Sequence, residues 1–350
     1  MKRCTKCILP ENYPRITFNE QGVCNYCVAY KERKYLGDDA LKERIKHFLE
    51  TKKDRNKNYD CVVGFSGGRD STYLLYYFTK VLNLRVLAYS VDNGFIPEQT
   101  KQNMKNTTDI LNVKLVIEVH DLLKKCVKHT ISSWMCMPSL PMIETLCTGC
   151  RVNMIRGTFN FAKKNKIPLI ITGSTPFESA VYRTKIIVLT PKRYLYQIIR
   201  NPKWIMNRTY LITQIKEYLY YFHSRKMVKE SEILTIVLFR DYIRWREKEI
   251  SSTLKNELNW KKNPNVESSS RGDCDIALLK LYVYTKVLGF NDKVDNLSCL
   301  IRDGQIGREE ALERLNKEEE ISENTINAIL DNLELNHIDF KNCVAKCARK

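Results

Sequence analysis

The sequence predicts an α/β fold: a doubly wound, mostly parallel sheet with a cysteine knuckle module in front of it and a helical C-terminal part behind it. Three observations carry that reading. Short apolar runs alternate with helical stretches from residue 60, four paired cysteines fall within the first 30 residues, and helix-period text fills the chain after residue 263. At 350 residues, 43% hydrophobic and 28% charged, the chain is too long for one ordinary domain and too apolar for disorder. It carries 58 Lys and Arg against 40 Asp and Glu, a formal charge of +18, which favours a polyanionic partner such as RNA, a nucleotide or an acidic membrane surface. No run reaches the roughly 18 to 20 uncharged apolar residues that span a bilayer, and the start, MKRCTKCILP, has no apolar signal core. The expectation is therefore no membrane span and a cytoplasmic location.

Residues 1–30 hold four cysteines and little periodic apolar pattern, so they form a module too small to bury a core unaided. Next, DDALKERIKHFLETKKDRNK places Leu41, Ile45, Phe48 and Leu49 on one face of a basic amphipathic helix with acidic residues at its start. That helix opens the main α/β domain, residues 31–190. Within it DCVVGF, RVLAYSV and VKLVIEV read as strands separated by helices over 70–83 and 97–111, the pattern of parallel βαβ units. A helix near 150–165 leads to IPLIITG, whose flanking Pro168 and Gly173 suit a buried strand. Residues 191–262 change character, since Lys, Arg and aromatic residues interleave in helical text. In this basic aromatic insertion the rings either pack on the core or stack on bases beside phosphates. After NPNVESSSRGDCD, residues 263–350 form a helical C-terminal region in which Gly289 and Gly304 mark breaks between helices.

The chemistry concentrates in Ser66-Gly67-Gly68-Arg69-Asp70-Ser71, which follows DCVVGF and opens a helix. A glycine pair lets backbone N–H groups approach an anion with no Cβ in the way, the helix N-terminus adds partial positive charge, and the serines add hydroxyl donors. This is a phosphate cradle. Its spacing matches neither G-x-x-x-x-G-K-S/T nor G-x-G-x-x-G, which excludes the ordinary ATPase loop and the dinucleotide fingerprint. Asp92, after RVLAYSV, and Gly173, at the end of IPLIITG, belong at the same C-terminal edge of the sheet, where open α/β folds bind ligands. Cys4-x-x-Cys7 with Cys24-x-x-Cys27 form the second signal. Four thiolates so spaced suit tetrahedral zinc with every position closed, a structural site whose metal replaces the missing core. The odd total of 13 cysteines and their paired spacing point to metal, not disulfides.

The S-G-G-x-D-S loop resembles the pyrophosphate loop of the ATP pyrophosphatase (PP-loop, HUP-like, adenine nucleotide alpha hydrolase-like) superfamily, which includes NAD synthetases, GMP synthetases, argininosuccinate synthetases and tRNA thiolases. The resemblance implies cleavage of ATP between its α and β phosphates. Ser66, Gly67, Gly68, Arg69, Asp70 and Ser71 would surround the departing pyrophosphate, with Ser66 and Asp70 catalytic and Asp70 contacting Mg2+. Asp92 would lie beside the adenosine and Gly173 in a third loop. Relatives often carry Lys at the position of Arg69. Their T-G-H-x-x-D pattern becomes Thr172-Gly173-Ser174-Thr175-Pro176-Phe177-Glu178, which lacks the histidine and offers Glu178 as the acid. The text K-R-C-T-K-C-I-L-P, I-T-F-N-E-Q-G-V-C-N-Y-C and L-I-R-D-G-Q-I-G-R-E-E-A-L-E-R-L resembles the N-acetyl sugar amidotransferases of bacterial surface-polysaccharide pathways. That likeness covers residues 1–75, 145–175 and 263–316.

A third pair, Cys147-x-x-Cys150, precedes a helix, and Cys274 stands alone in Arg271-Gly272-Asp273-Cys274-Asp275. By resemblance to part of the tRNA thiolase branch, these three would hold a 4Fe–4S cluster with one open iron and act in catalysis. Buried core thiols and a catalytic thiolate pair are the other readings of the same residues. Cys343 and Cys347 read as plain thiols, and His47, His120, His129, His223 and His337 show no metal or triad spacing. The resemblances imply two functions. In amidation, the N-acetyl oxygen of a sugar attacks ATP, and ammonia from a separate glutaminase subunit displaces AMP. In tRNA thiolation, a base carbonyl is adenylated and a sulfur donor displaces AMP; the charge, the insertion and Cys147, Cys150 and Cys274 speak for that alternative.

Overall fold

The computed structural model describes residues 2–119, 121–178, 232–264, 272–318 and 321–348, with isolated positions between 195 and 212. Among these residues a five-stranded parallel sheet forms in the order β3-β2-β1-β4-β5. The strands are β1 Cys61–Gly64, β2 Val86–Asp92, β3 Lys114–Val119, β4 Leu169–Thr172 and β5 Leu234–Val237. The predicted α/β class is thus the observed one. The longer helices that precede or connect the first four strands are α1 Asp38–Thr51, α2 Arg69–Tyr76, α3 Glu98–Leu111, α4 Asp121–Cys136 and α5 Thr145–Lys164. They cover both faces of the sheet, which is why β1 reads as a continuous apolar run. Val63 packs with Leu74, Phe78 and Leu169 on one face, and Val62 with Tyr89, Phe159 and Ile170 on the other.

β1 pairs with β2 on one side and β4 on the other. The strand order therefore reverses at β1, and the connections leaving β1 and β4 diverge. Divergence opens a crevice at the carboxyl ends of these strands, the place where such sheets bind ligands. The lower end of the sheet is pinned by Asp60, which accepts from the Arg85 backbone N–H at 3.0 Å and from the guanidinium groups of Arg85 and Arg55 at 2.7 and 2.6 Å. Burial pushes the Asp60 carboxyl up, and the two arginines more than offset it, holding it at about 2.

Two elements differ from the sequence reading. α4 fills a stretch to which no element was assigned, and β5 falls inside residues 191–262, read as a helical insertion. β5 pairs with β4 from Leu169 opposite Leu234 to Thr172 opposite Val237, so the sheet draws on residues beyond 190. LTIV lies within the apolar run of residues 233–239, which periodicity alone does not tell from a buried helix segment. Most of the predicted insertion before residue 232 lies outside the described residues. One position that is described, Asn201, is buried and donates from Nδ2 to the Ser133 carbonyl on α4 at 2.6 Å.

The C-terminal region consists of α6 Glu247–Leu258, α7 Asp275–Leu288, α8 Asp292–Arg302, α9 Arg308–Glu318, α10 Glu323–Asn332 and α11 His337–Ala348. α7 is buried nearly all round and packs against α5, α10 and α11. It ends at Gly289, whose φ of +73° makes the left-handed helix cap that glycine adopts at least cost. The N-terminal module is not a separate body: Ile8, Leu9 and Tyr13 are buried in the same core as α7 and α8. Tyr13 donates to Asp295 Oδ2 at 2.7 Å, and Asn12 donates to the Leu288 carbonyl at 2.8 Å. No helix of the described residues is long and apolar enough to cross a membrane.

α5 lies against β2 through Gly157, where a Cβ would come within 3.0 Å of Cζ of the fully buried Tyr89. Gly157→Ala should therefore cost about 1–3 kcal/mol through overpacking. The check is a urea melt, in which the midpoint falls with an unchanged slope. An unshifted midpoint would mean that helix and sheet are not packed this closely.

Candidate active site

Phe65, Ser66, Gly67 and Gly68 carry the chain from β1 into α2 at the crevice. Gly67 has φ +76°, and a Cβ there would stand 2.5 Å from Met104 Cγ and 3.1 Å from the Thr100 carbonyl. Conformation and space both demand glycine. The Gly67 carbonyl accepts from Trp260 Nε1 at 3.1 Å. The two serines close the loop on itself: their hydroxyls lie 3.1 Å apart, Ser71 Oγ donates to the Gly68 carbonyl at 3.1 Å, and Ser66 Oγ accepts from the Gly68 N–H at 3.4 Å. The first-turn amides of α2 have no acceptor within the helix, so they point donors and partial positive charge out of its start. Such a set is built for an anion of phosphate type.

Arg69 and Asp70 do something the sequence did not suggest. Arg69 is 6% exposed, and its guanidinium lies 4.5 Å from the centre of the Trp245 ring. It donates to Glu247 Oε1 at 2.9 Å and to Asp70 Oδ1 at 3.0 Å, with a longer contact of 3.5 Å to Asp70 Oδ2. Trp245 Nε1 donates to the same Asp70 Oδ1 at 2.9 Å. The Arg69 charge is thus matched by Asp70 and Glu247. Arg69 thus joins α2 to Trp245 and to Glu247, the first residue of α6. Arg314 of α9 completes the set by donating to Glu247 Oε2 at 2.6 Å.

The connection after β2 brings further predicted residues together. Asp92 Oδ1 accepts from the Gly94 N–H at 2.7 Å and so shapes the turn. Asn93, buried and unnoticed in the sequence, accepts from the Phe95 N–H at 2.9 Å. With its oxygen so engaged, Nδ2 faces two sulfurs, Cys150 at 3.4 Å and Cys274 at 3.7 Å. Residues 150 and 274 therefore meet at one side-chain amide. Cys147 lies on the first turn of α5, three residues before Cys150, and its side chain is outside the described residues. The sulfur donors suit a soft metal or an iron–sulfur centre.

Next to Cys274, Asp273 abuts the loop: a Cβ on Gly68 would lie 2.9 Å from Asp273 Oδ2. Gly173 allows the β4 connection to approach α2, since a Cβ there would meet Leu74 Cδ1 at 3.0 Å. Phe177 on that connection packs its ring 5.2 Å from Trp245. Glu178 ends the same short turn, and its side chain is outside the described residues.

Cys4, Cys7, Cys24 and Cys27 are buried with all four sulfurs within 4.8 Å of one another. A tetrahedral site with metal–sulfur bonds of about 2.3 Å needs sulfurs about 3.8 Å apart. Two of the observed separations are 3.7 Å and 4.0 Å, so the residues fit a four-coordinate metal with no position left open. The backbone N–H groups of Cys7 and Cys24 donate to Cys4 Sγ at 3.4 and 3.1 Å, as befits a thiolate. Hydrogen bonds from Cys24 and Cys27, aided by the Arg302 guanidinium, hold the Cys7 thiol far below its ordinary value, while Cys27 is pushed up by Cys24, Cys7 and burial. Arg302 reaches Cys7 Sγ at 3.8 Å, a counter-charge for a centre that gathers thiolates.

Comparison with known proteins adds four findings. Residues 278–350 match the family described as the C-terminal domain of WbpG-like LPS biosynthesis proteins. An uncharacterized protein of Methanocaldococcus jannaschii is 22% identical over 321 residues, covering 90% of this chain and 93% of that protein. Among solved structures, the NMN synthetase of Francisella tularensis is similar at a TM-score of 0.40 and 13% identity, covering 85% of this chain and 96% of that one. The tRNA thiolase NcsA of Methanococcus maripaludis, solved with its 4Fe–4S cluster, gives a TM-score of 0.35 and 13% identity over 89% of each chain.

Cys24→Ser should release the metal from the N-terminal site and lower the melting temperature by several degrees, because metal binding there is folding energy. Elemental analysis beside a thermal melt checks both. A variant that keeps its metal and its melting temperature would contradict the assignment.

Proposed function

We propose that this chain is an ATP-dependent amidotransferase that releases AMP and pyrophosphate while converting the N-acetyl group of a sugar into an amidine, within surface-polysaccharide synthesis in the cytoplasm. The observation that carries the reading is the glycine-dependent loop of residues 66–71, seated at the start of α2 beside the crevice between β1 and β4. The match of residues 278–350 to a lipopolysaccharide-biosynthesis domain supports the pathway.

The chemistry then follows from the leaving groups. An amide oxygen is a poor one, so the acetyl oxygen attacks the α-phosphorus of ATP, and the bond to the bridging oxygen of pyrophosphate breaks. The α2 amides, Ser66 and Ser71 neutralise the negative charge that develops on the departing pyrophosphate, where a fixed donor can be worth about 10²–10³ in rate. Ammonia adds to the activated carbon, AMP leaves with the former acetyl oxygen, and loss of a proton gives the amidine. Asp92 lies on the adenosine side of the site, and Gly173 belongs to the third loop at the same edge of the sheet. Mg2+ accompanies ATP and supplies charge neutralisation when bound. Zinc is the metal we assign to Cys4, Cys7, Cys24 and Cys27. Ammonia is supplied by a separate glutaminase subunit.

A second reading has its own observation. Cys150 and Cys274 converge on Asn93 beside the loop, which favours sulfur transfer to a tRNA base with a 4Fe–4S centre held by Cys147, Cys150 and Cys274. One experiment separates the two. ATP is incubated with an N-acetylated nucleotide sugar carrying heavy oxygen in its acetyl group, together with ammonium chloride. The proposal predicts AMP that contains the heavy oxygen. ADP would overturn the pyrophosphatase chemistry, and turnover confined to tRNA with a sulfur donor would select the second reading.

A further inference from the structure

Asp70 is the carboxylate that the loop sequence offers to a divalent cation, yet both of its oxygens are engaged. Oδ1 accepts from Arg69 Nε and Trp245 Nε1, and Oδ2 is approached by Arg69 Nη2. A cation there would have to displace a buried guanidinium and an indole N–H. A second carboxylate stands in the opposite situation. Asp273 Oδ2 lies against Gly68, so close that a Cβ on that residue would be 2.9 Å away, and among the described residues Asp273 has no hydrogen-bond or ion-pair partner.

The placement of Asp273 is enforced from both sides. The Gly272 carbonyl accepts from Asn263 Nδ2 at 2.9 Å and from Thr100 Oγ1 at 3.4 Å. On the other side the Asp275 N–H donates to the Phe95 carbonyl at 3.0 Å, and Cys274 meets Asn93. The chain thus holds a carboxylate against a loop whose amides and hydroxyls are arranged for an anion. A carboxylate beside a pyrophosphate is repelled by it, and only a cation between them turns the juxtaposition into an attraction.

We propose that Asp273 is the protein ligand for the divalent cation that accompanies the nucleotide, and that Asp70 is a positioning residue that fixes the loop through Arg69 and Trp245. This rests on the reading of residues 66–71 as a pyrophosphate loop. Asp273 then explains why the segment 272–275 is tied down, and Gly68 leaves the room that a carboxylate and a phosphate together need.

The test uses the full chain, inorganic pyrophosphate and Mn2+, whose free ion is counted by its paramagnetic resonance. Wild type should bind pyrophosphate more tightly with Mn2+ than in EDTA. Asp273→Asn, checked for an unchanged melting temperature and repeated as Asp273→Ala, should lose about tenfold or more in Mn2+-supported affinity. In EDTA the same variants should bind pyrophosphate at least as well as wild type, because a like charge has gone. Asp70→Asn should weaken binding in both conditions. Variants at residue 273 with wild-type dependence on Mn2+ would overturn the assignment while leaving the loop reading intact. Wild type that binds pyrophosphate in neither condition would overturn the loop reading itself.

Discussion

A buried guanidinium governs the geometry around the loop. Taking Arg69 out of water costs several kcal/mol, and the cost is offset only because Asp70, Glu247 and the face of Trp245 surround it at contact distance. Removing one carboxylate from such a set typically costs about 3–5 kcal/mol, since the remaining charge is left buried and uncompensated. α2 consequently cannot tilt independently of Trp245 and Glu247. The first-turn amides of α2 inherit their position from residues far away in sequence.

The same contacts continue outward to the cysteine module. Gln305 accepts from the Glu247 N–H at 3.0 Å and donates to the Trp245 carbonyl and to Asp303, each at 2.8 Å. Asp303 also takes the Tyr30 hydroxyl at 2.7 Å, and burial with that hydrogen bond pushes the Tyr30 phenol up. Arg308 donates to the carbonyls of Cys7 and Cys4 at 3.2 and 3.3 Å. The text L-I-R-D-G-Q-I-G-R is therefore a joint: its polar residues touch the tetracysteine knuckles on one side and the segment that holds Arg69 on the other. Contiguous contact of this kind explains how a module of 30 residues with little core of its own is held to the chain.

What was legible in the sequence is what is local. The strand DCVVGF, its glycine pair and the helix after it are read from neighbours within a few positions, and the four cysteines are read from ligand spacing. Asp60 to Gly173 was correspondingly clear apart from α4. The missing pieces depend on distance. Arg69 finds Trp245 and Glu247 more than 170 residues on, so the loop alone suggests a phosphate contact and not a buried junction. Asn93 matters only because folding brings Cys150 and Cys274 to it, and β5 is recognisable only once β4 offers it a partner. The tie between residues 1–30 and α8 was equally hidden, because it rests on single polar residues, such as Tyr13 and Arg302, whose partners no periodicity announces.

The order of the loop at residues 66–71 depends on this junction. Hydrogen–deuterium exchange of the amides of residues 65–76, compared between wild type and Glu247→Gln, tests it most directly. Faster exchange in that segment, with β2 and β3 unchanged, is the predicted result. Unchanged exchange across residues 65–76 in the variant would contradict the account.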